Sequence, residues 1–140
     1  MARVSGKIAQ VTGGASGLGL AAGRRLAEEG ATVVLADINE ELGALEARAI
    51  EGASFTRLDV TQEDQWSALV DDIVAQHGRL DVLFNSAGVV TLASIEETTE
   101  DIWRRVHSVG TDGTFYGCKH ALRVMKAAGG GSIINMCSTA

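Results

Sequence analysis

The sequence predicts an α/β fold, a doubly wound parallel sheet with helices on both faces. Three observations carry that expectation. Five short apolar runs alternate with longer segments of helical period along the chain. Strand–helix alternation of this kind reads as successive right-handed βαβ units. Polar residues and glycines gather at the C-terminal ends of the runs, where open parallel sheets place their ligands.

Ile8-Ala9-Gln10-Val11-Thr12 is a buried-strand pattern that runs into glycines. Leu18, Ala22 and Leu26 then recur at i, i+4 and i+8 on one helical face, and Gly30 is a fitting stop. Thr32-Val33-Val34-Leu35-Ala36 is a second strand ending at Asp37, and Asn39 suits the cap of a helix running to about residue 49. Residues 55–58 form a weaker third strand. Thr61 and Asp64 resemble a capping box, for a helix carried by Trp66, Leu69, Val70, Ile73 and Val74 and closed by His77-Gly78. Residues 80–84 are a fourth strand, followed by Asn85-Ser86-Ala87-Gly88. A long helix is expected over residues 100–125, with Ile102, Val106, Phe115, Leu122 and Met125 buried, although Gly110, Gly113 and Gly117 count against it. Glycines 129–131 break it before a fifth strand, Ser132-Ile133-Ile134-Asn135-Met136.

A length of 140 residues suits one domain. No apolar run approaches the roughly 18 residues that span a bilayer, and the first residues lack the apolar core of a signal peptide, so no membrane partner and a cytoplasmic location are expected. The net charge of −6 argues against nucleic acid, which needs a basic stripe. It is compatible with a nucleotide, because backbone N–H groups at a helix start can hold a pyrophosphate. Cys118 and Cys137 make neither a disulfide framework nor a metal motif, and no metal is expected.

The strongest signal is Thr12-Gly13-Gly14-Ala15-Ser16-Gly17-Leu18-Gly19, between the first strand and the first helix. Gly13 permits a tight turn, Gly17 removes a Cβ where backbone must approach a pyrophosphate, and Gly19 allows close helix packing. The dipole of the helix that follows favours the anion. Glycines alone fit a turn with no ligand equally well. The strand before, the helix after and the acid at the next strand end favour a dinucleotide. That acid, Asp37, can accept from both hydroxyls of an adenosine ribose. It would repel a 2′-phosphate, and Ile38 offers no compensating cation, so NAD is expected over NADP.

The spacing Thr-Gly-x-x-x-Gly-x-Gly resembles the short-chain dehydrogenase/reductase family, whose Rossmann-type sheet has the strand order 3-2-1-4-5 in its first five strands. Asp59-Val60 is similar to the family pair that contacts adenine. Asn85-Ser86-Ala87-Gly88 resembles its Asn-Asn-Ala-Gly segment, with Ser86 in place of the second Asn. Met136-Cys137-Ser138-Thr139-Ala140 resembles the segment carrying its catalytic Ser, which maps to Ser138. The resemblance thus implies cofactor contacts from Gly13, Ser16, Gly17, Leu18 and Gly19, from Asp37 and Ile38, from Asp59 and Val60, and from Asn85, Ala87 and Gly88. It also implies hydride exchange with an alcohol/carbonyl substrate, and a homodimer or homotetramer with the 100–125 helix at an interface.

In the family a Tyr acts as general acid/base, a Lys four residues later lowers its pKa, and a phenol of pKa about 10 needs such a cation to work near neutral pH. That Tyr-x-x-x-Lys pair is expected about a dozen residues after Ser138, and the chain ends at Ala140. The single tyrosine, Tyr116, is followed at the fourth position by His120. Gly110 occupies the place of the family's active-site Asn, within Val109-Gly110-Thr111-Asp112-Gly113. A non-catalytic NAD-binding or interaction module is therefore the second reading. The fifth strand is expected to present an open apolar edge, and the 140 residues to be part of a longer chain. Elsewhere, His77 reads as a helix end, His107 and His120 as solvated helix residues, Cys137 as a small buried residue, Trp66 and Trp103 as helix packing, and residues 96–101 as an acidic helix entry.

Overall fold

The computed structural model describes residues 2–138. Strands β1 (Ile8–Thr12), β2 (Thr32–Asp37), β3 (Ala53–Arg57), β4 (Val82–Asn85) and β5 (Ser132–Asn135) form one sheet in the order β3-β2-β1-β4-β5. All four pairings are parallel, so the order implied by the resemblance is the order observed. Helices α1 (Gly17–Glu28), α2 (Glu40–Arg48), α3 (Glu63–His77), α4 (Glu100–His107) and α5 (Gly113–Ala127) connect them.

Two apolar layers hold the sheet. Alternate residues of a strand face opposite sides, so Ile8, Val34 and Leu83 meet Trp66, Leu69, Val70 and Ile73 of α3 and Ala121 and Met125 of α5. Ala9, Val11, Val33, Leu35 and Phe84 face the other way, toward Leu20 and Leu26 of α1 and Ala47 of α2. Gln10 interrupts the first layer. Its side chain is fully buried, and neither amide atom has a hydrogen-bond partner among the described residues. Asp81 fastens the opposite end of the sheet from the glycine turn: its carboxylate accepts from the Ile8 N–H at 2.9 Å and from Arg79 Nε at 2.8 Å.

The structure revises several expectations. Residues 100–127 are helical throughout, but the helix widens to a π-turn at Ser108–Asp112 between α4 and α5. α5 lies so close to its neighbours that a Cβ on Gly117 would stand 2.5 Å from Asn85 Oδ1 and 2.7 Å from the Trp66 ring. The three glycines that weaken the helix by propensity thus include one that its packing requires. Met125 is buried as expected and Ile102 and Val106 are half-buried, whereas Phe115 and Leu122 are exposed because no described element covers that face.

Thr61 and Asp64 form no capping box. α3 starts at Glu63 with no side-chain cap, and the Thr61 hydroxyl is taken by Asp59 Oδ1 at 2.7 Å. His120 is buried, with Nε2 3.2 Å from Glu63 Oε1, not solvated. Cys137 is exposed, and Trp103 is half in solvent, stacked on His107 with ring centroids 4.0 Å apart. β5 is indeed largely exposed, with Ile134 facing solvent. Asn39 caps α2 through the Leu42 N–H, and Gly78 closes α3 in the left-handed conformation, both as expected.

Candidate functional site

A cleft of about 450 Å³ opens at the C-terminal ends of the strands. Four of the five polar clusters singled out from the sequence meet there. The β1–α1 turn supplies Gly13, Ser16, Gly17, Leu18 and Gly19; the end of β2 supplies Asp37 and Ile38; the β3–α3 loop supplies Asp59 and Val60; the loop after β4 supplies Ala87 and Gly88. Val109 of the π-turn and Met136 close the remaining side.

The turn is shaped by backbone constraints that only glycine meets. Gly17 has φ +55°, and the direction of its missing Cβ is open space. A Cβ on Gly19 would stand 2.3 Å from the Gly13 carbonyl oxygen, so α1 can begin this close to β1 only with hydrogen there. Ser16 occupies the N-cap position in extended conformation, yet its hydroxyl makes no cap hydrogen bond and the first turn of α1 holds no acid. The positive end of the α1 dipole thus has neither a side-chain cap nor an acid of its own first turn to compensate it.

Asp37 is oriented before any ligand arrives. Its Oδ2 accepts from the Ala15 N–H at 3.1 Å and its Oδ1 from the Asn39 N–H at 2.9 Å. Each carboxylate oxygen retains acceptor capacity for a further donor. Leu18 and Ile38 are 67% and 59% exposed beside it, large apolar surfaces left wet at the cleft. The uncapped helix start, the space at Gly17, the anchored carboxylate and the two apolar flanks suit the pyrophosphate, ribose and base of a dinucleotide.

The other side chains take different parts. Asp59 spends Oδ1 within its own loop, accepting from the Thr61 N–H at 3.0 Å and the Thr61 hydroxyl. Val60 accepts the Trp66 indole N–H on its carbonyl at 3.0 Å and packs its side chain against Gly113. Asn85 is not among the residues that line the cleft. Its side chain is buried away from the cleft and donates to Asn135 Oδ1 at 2.9 Å, tying β4 to β5, while its own Oδ1 has no partner among the described residues. Ser138 is exposed, three residues beyond β5; Thr139 and Ala140 of the same segment lie outside the described residues. Gly110 is exposed on the π-turn with open space where a Cβ would point.

Thr12, the last residue of β1 before the glycines, links two loops. Its buried Oγ1 accepts from both the Ser86 and Ala87 N–H groups at 3.1 Å, holding the loop after β4 against the glycine turn. Thr at a strand end before Gly-Gly was the available signal, and its partners, more than 70 residues away, were not.

Sheet order, crossover pattern and ligand-end cleft define a Rossmann-type fold. A family model described as short chain dehydrogenase matches residues 7–140. The chain belongs to that family. It is 43% identical to cyclopentanol dehydrogenase of Comamonas testosteroni over 99% of its own length and 57% of the relative's. It is 43% identical to a 3-alpha-(or 20-beta)-hydroxysteroid dehydrogenase of Mycobacterium bovis over 97% of its own length and 53% of the relative's. With momilactone A synthase of Oryza sativa subsp. japonica the identity is 44%, over 97% and 51%. The chain therefore spans about half the length of the curated relatives it matches.

Proposed function

We propose that this chain is the cofactor-binding part of an NAD-dependent oxidoreductase acting on an alcohol/carbonyl pair. The observation that carries the reading is Asp37: a carboxylate fixed by the Ala15 and Asn39 N–H groups, at the same cleft as an uncapped helix start. Bound nicotinamide dinucleotide supplies the hydride chemistry. The chain's own residues bind and orient. The α1 start and the residues 13–19 turn receive the pyrophosphate; Asp37 receives the ribose hydroxyls; Ile38, Asp59 and Val60 flank the base; Ala87 and Gly88 support the ribose on the nicotinamide side. Ser138 is proposed to hydrogen-bond the substrate oxygen. Membership of the family and the dehydrogenase names of the relatives support the reaction class. The exposed Trp103, Phe115 and Leu122 support a homodimer or homotetramer joined through the 100–127 helix, which native mass spectrometry tests.

Fluorescence titration with NADH and NADPH tests the cofactor reading. NADH is expected to bind more tightly, and Asp37→Ala to narrow the difference. Equal or tighter binding of NADPH to the unaltered chain would overturn it.

A further inference from the structure

Among the described residues, Arg57 at this end of the sheet is a cation with no ion-pair partner. In the β2–β3 ladder Asp37 stands directly beside Arg57. Residues paired across parallel strands project to the same face. The face is identified by their neighbours two residues earlier: Leu35 and Phe55 both belong to the layer covered by α1 and α2, and Phe55 packs directly on Gly43 of α2. Arg57 is exposed and takes part in none of the ion pairs among the described residues. Asp37 is satisfied by backbone N–H groups and not by Arg57. Glu40 and Glu41 open α2 nearby and are not paired with it either.

We propose that Arg57 is a second determinant of dinucleotide choice, a guanidinium carried on the strand next to the ribose carboxylate that draws a 2′-phosphate as Asp37 repels it. The inference rests on the proposed seat of the adenosine ribose at Asp37. Ile38, next in the chain, offers no cation; the neighbouring strand carries one at Arg57. Arginine suits the task because its planar fork matches phosphate and stays charged at any working pH. Discrimination against the 2′-phosphate is then a balance of two opposed charges carried by adjacent strands, and is smaller than the carboxylate alone would give.

The test is a two-by-two set of variants, with Asp37→Ser and Arg57→Gln singly and together, each titrated with NADH and NADPH by fluorescence. Asp37→Ser alone should move the NADPH/NADH affinity ratio toward NADPH. Arg57→Gln alone should leave NADH unchanged and weaken NADPH. In the double variant NADPH should lose at least about tenfold relative to Asp37→Ser, the worth of a hydrogen bond to a charged group, and Arg57→Lys should restore part of it. If Arg57→Gln leaves the ratio unchanged in both backgrounds, or weakens both nucleotides equally, the inference is overturned while the cofactor reading stands. If Asp37→Ser leaves the ratio unchanged, or neither nucleotide binds, the cofactor reading fails and the inference with it.

Discussion

The two sides of the sheet are built by different means. Around β1 and β2 the chain is held by backbone: five register pairs join the strands, β1 is buried at every residue, and the glycine turn allows approaches that no side chain survives. Around β4 and β5 it is held by side chains at longer range: Asn85 on Asn135, Trp66 under Gly117, Glu63 on Lys119 and His120. Val90, Leu92, Ile95, Ile134 and Met136 remain exposed on that side. The first side can be specified by a short motif, because its partners are a few residues apart or lie on the adjacent strand. The second depends on residues 50 to 57 positions distant.

The largest effect is expected where backbone meets backbone. Gly19→Val should cost about 3 kcal/mol or more, since its side chain has no room against the Gly13 carbonyl. It should also abolish nucleotide binding, and urea unfolding with NADH titration measures both. A variant that keeps its stability would show that the turn is looser than its spacing implies.

Thr12 joins the two sides, and Thr12→Val keeps the shape while leaving the part-buried Ser86 and Ala87 N–H groups without their acceptor. A loss of about 2 kcal/mol is expected in chemical denaturation, with faster amide hydrogen exchange at residues 86–88. Unchanged exchange there would mean that the loop is held by something other than the threonine.

Gln10→Met should act in the opposite direction. It replaces a fully buried, unpartnered amide by an apolar chain of similar length, and a gain of about 1 kcal/mol is expected in the same denaturation assay. Destabilisation would show that the amide is paired in solution.

The smallest effect is at acid pH. Burial alone would raise the Asp81 carboxyl, but the Ile8 N–H and Arg79 outweigh it, and the group titrates below its ordinary 3.8. Its contribution is therefore present above that value and is lost as pH falls through the lower folded-state value. Asp81→Asn should flatten the acid limb of a stability–pH curve and leave the neutral region with a uniform offset. An acid limb of unchanged steepness would assign acid sensitivity to other carboxylates.

Most of the fold was legible because apolar period and glycine placement are local properties. The five strands fall within two or three residues of their expected bounds, and the turn at residues 13–19 and the acid at 37 come together as the strand-end rule requires. The strand order needed the family resemblance, since alternation fixes parallel crossovers but not which strand lies beside which. What escaped depended on who covers a face. Leu122 and Phe115 have the helical spacing of buried residues but are about half exposed, while His120, on the same helix, is buried and reaches Glu63 of α3. Asn85 sits in a motif associated with the cofactor, yet its amide is engaged by β5 and crowded by α5. Arg57 gains its interest only from the register of two strands.

The π-turn at Ser108–Asp112 sets an angular relation between the two halves of one helix. A residue advances an α-helix by about 100°, so one residue more or fewer in the turn rotates everything on one side by that amount against the other. With the turn as it stands, Val109 borders the cleft while Gly113 lies against Val60 and Gly117 against Trp66. Deleting Gly110 would restore a uniform helix and carry Val109 off the cleft wall, provided α5 kept its seat on Trp66. The extra residue therefore acts as a phase setting: it lets one helix serve two neighbours whose directions a regular 3.6-residue repeat could not satisfy together.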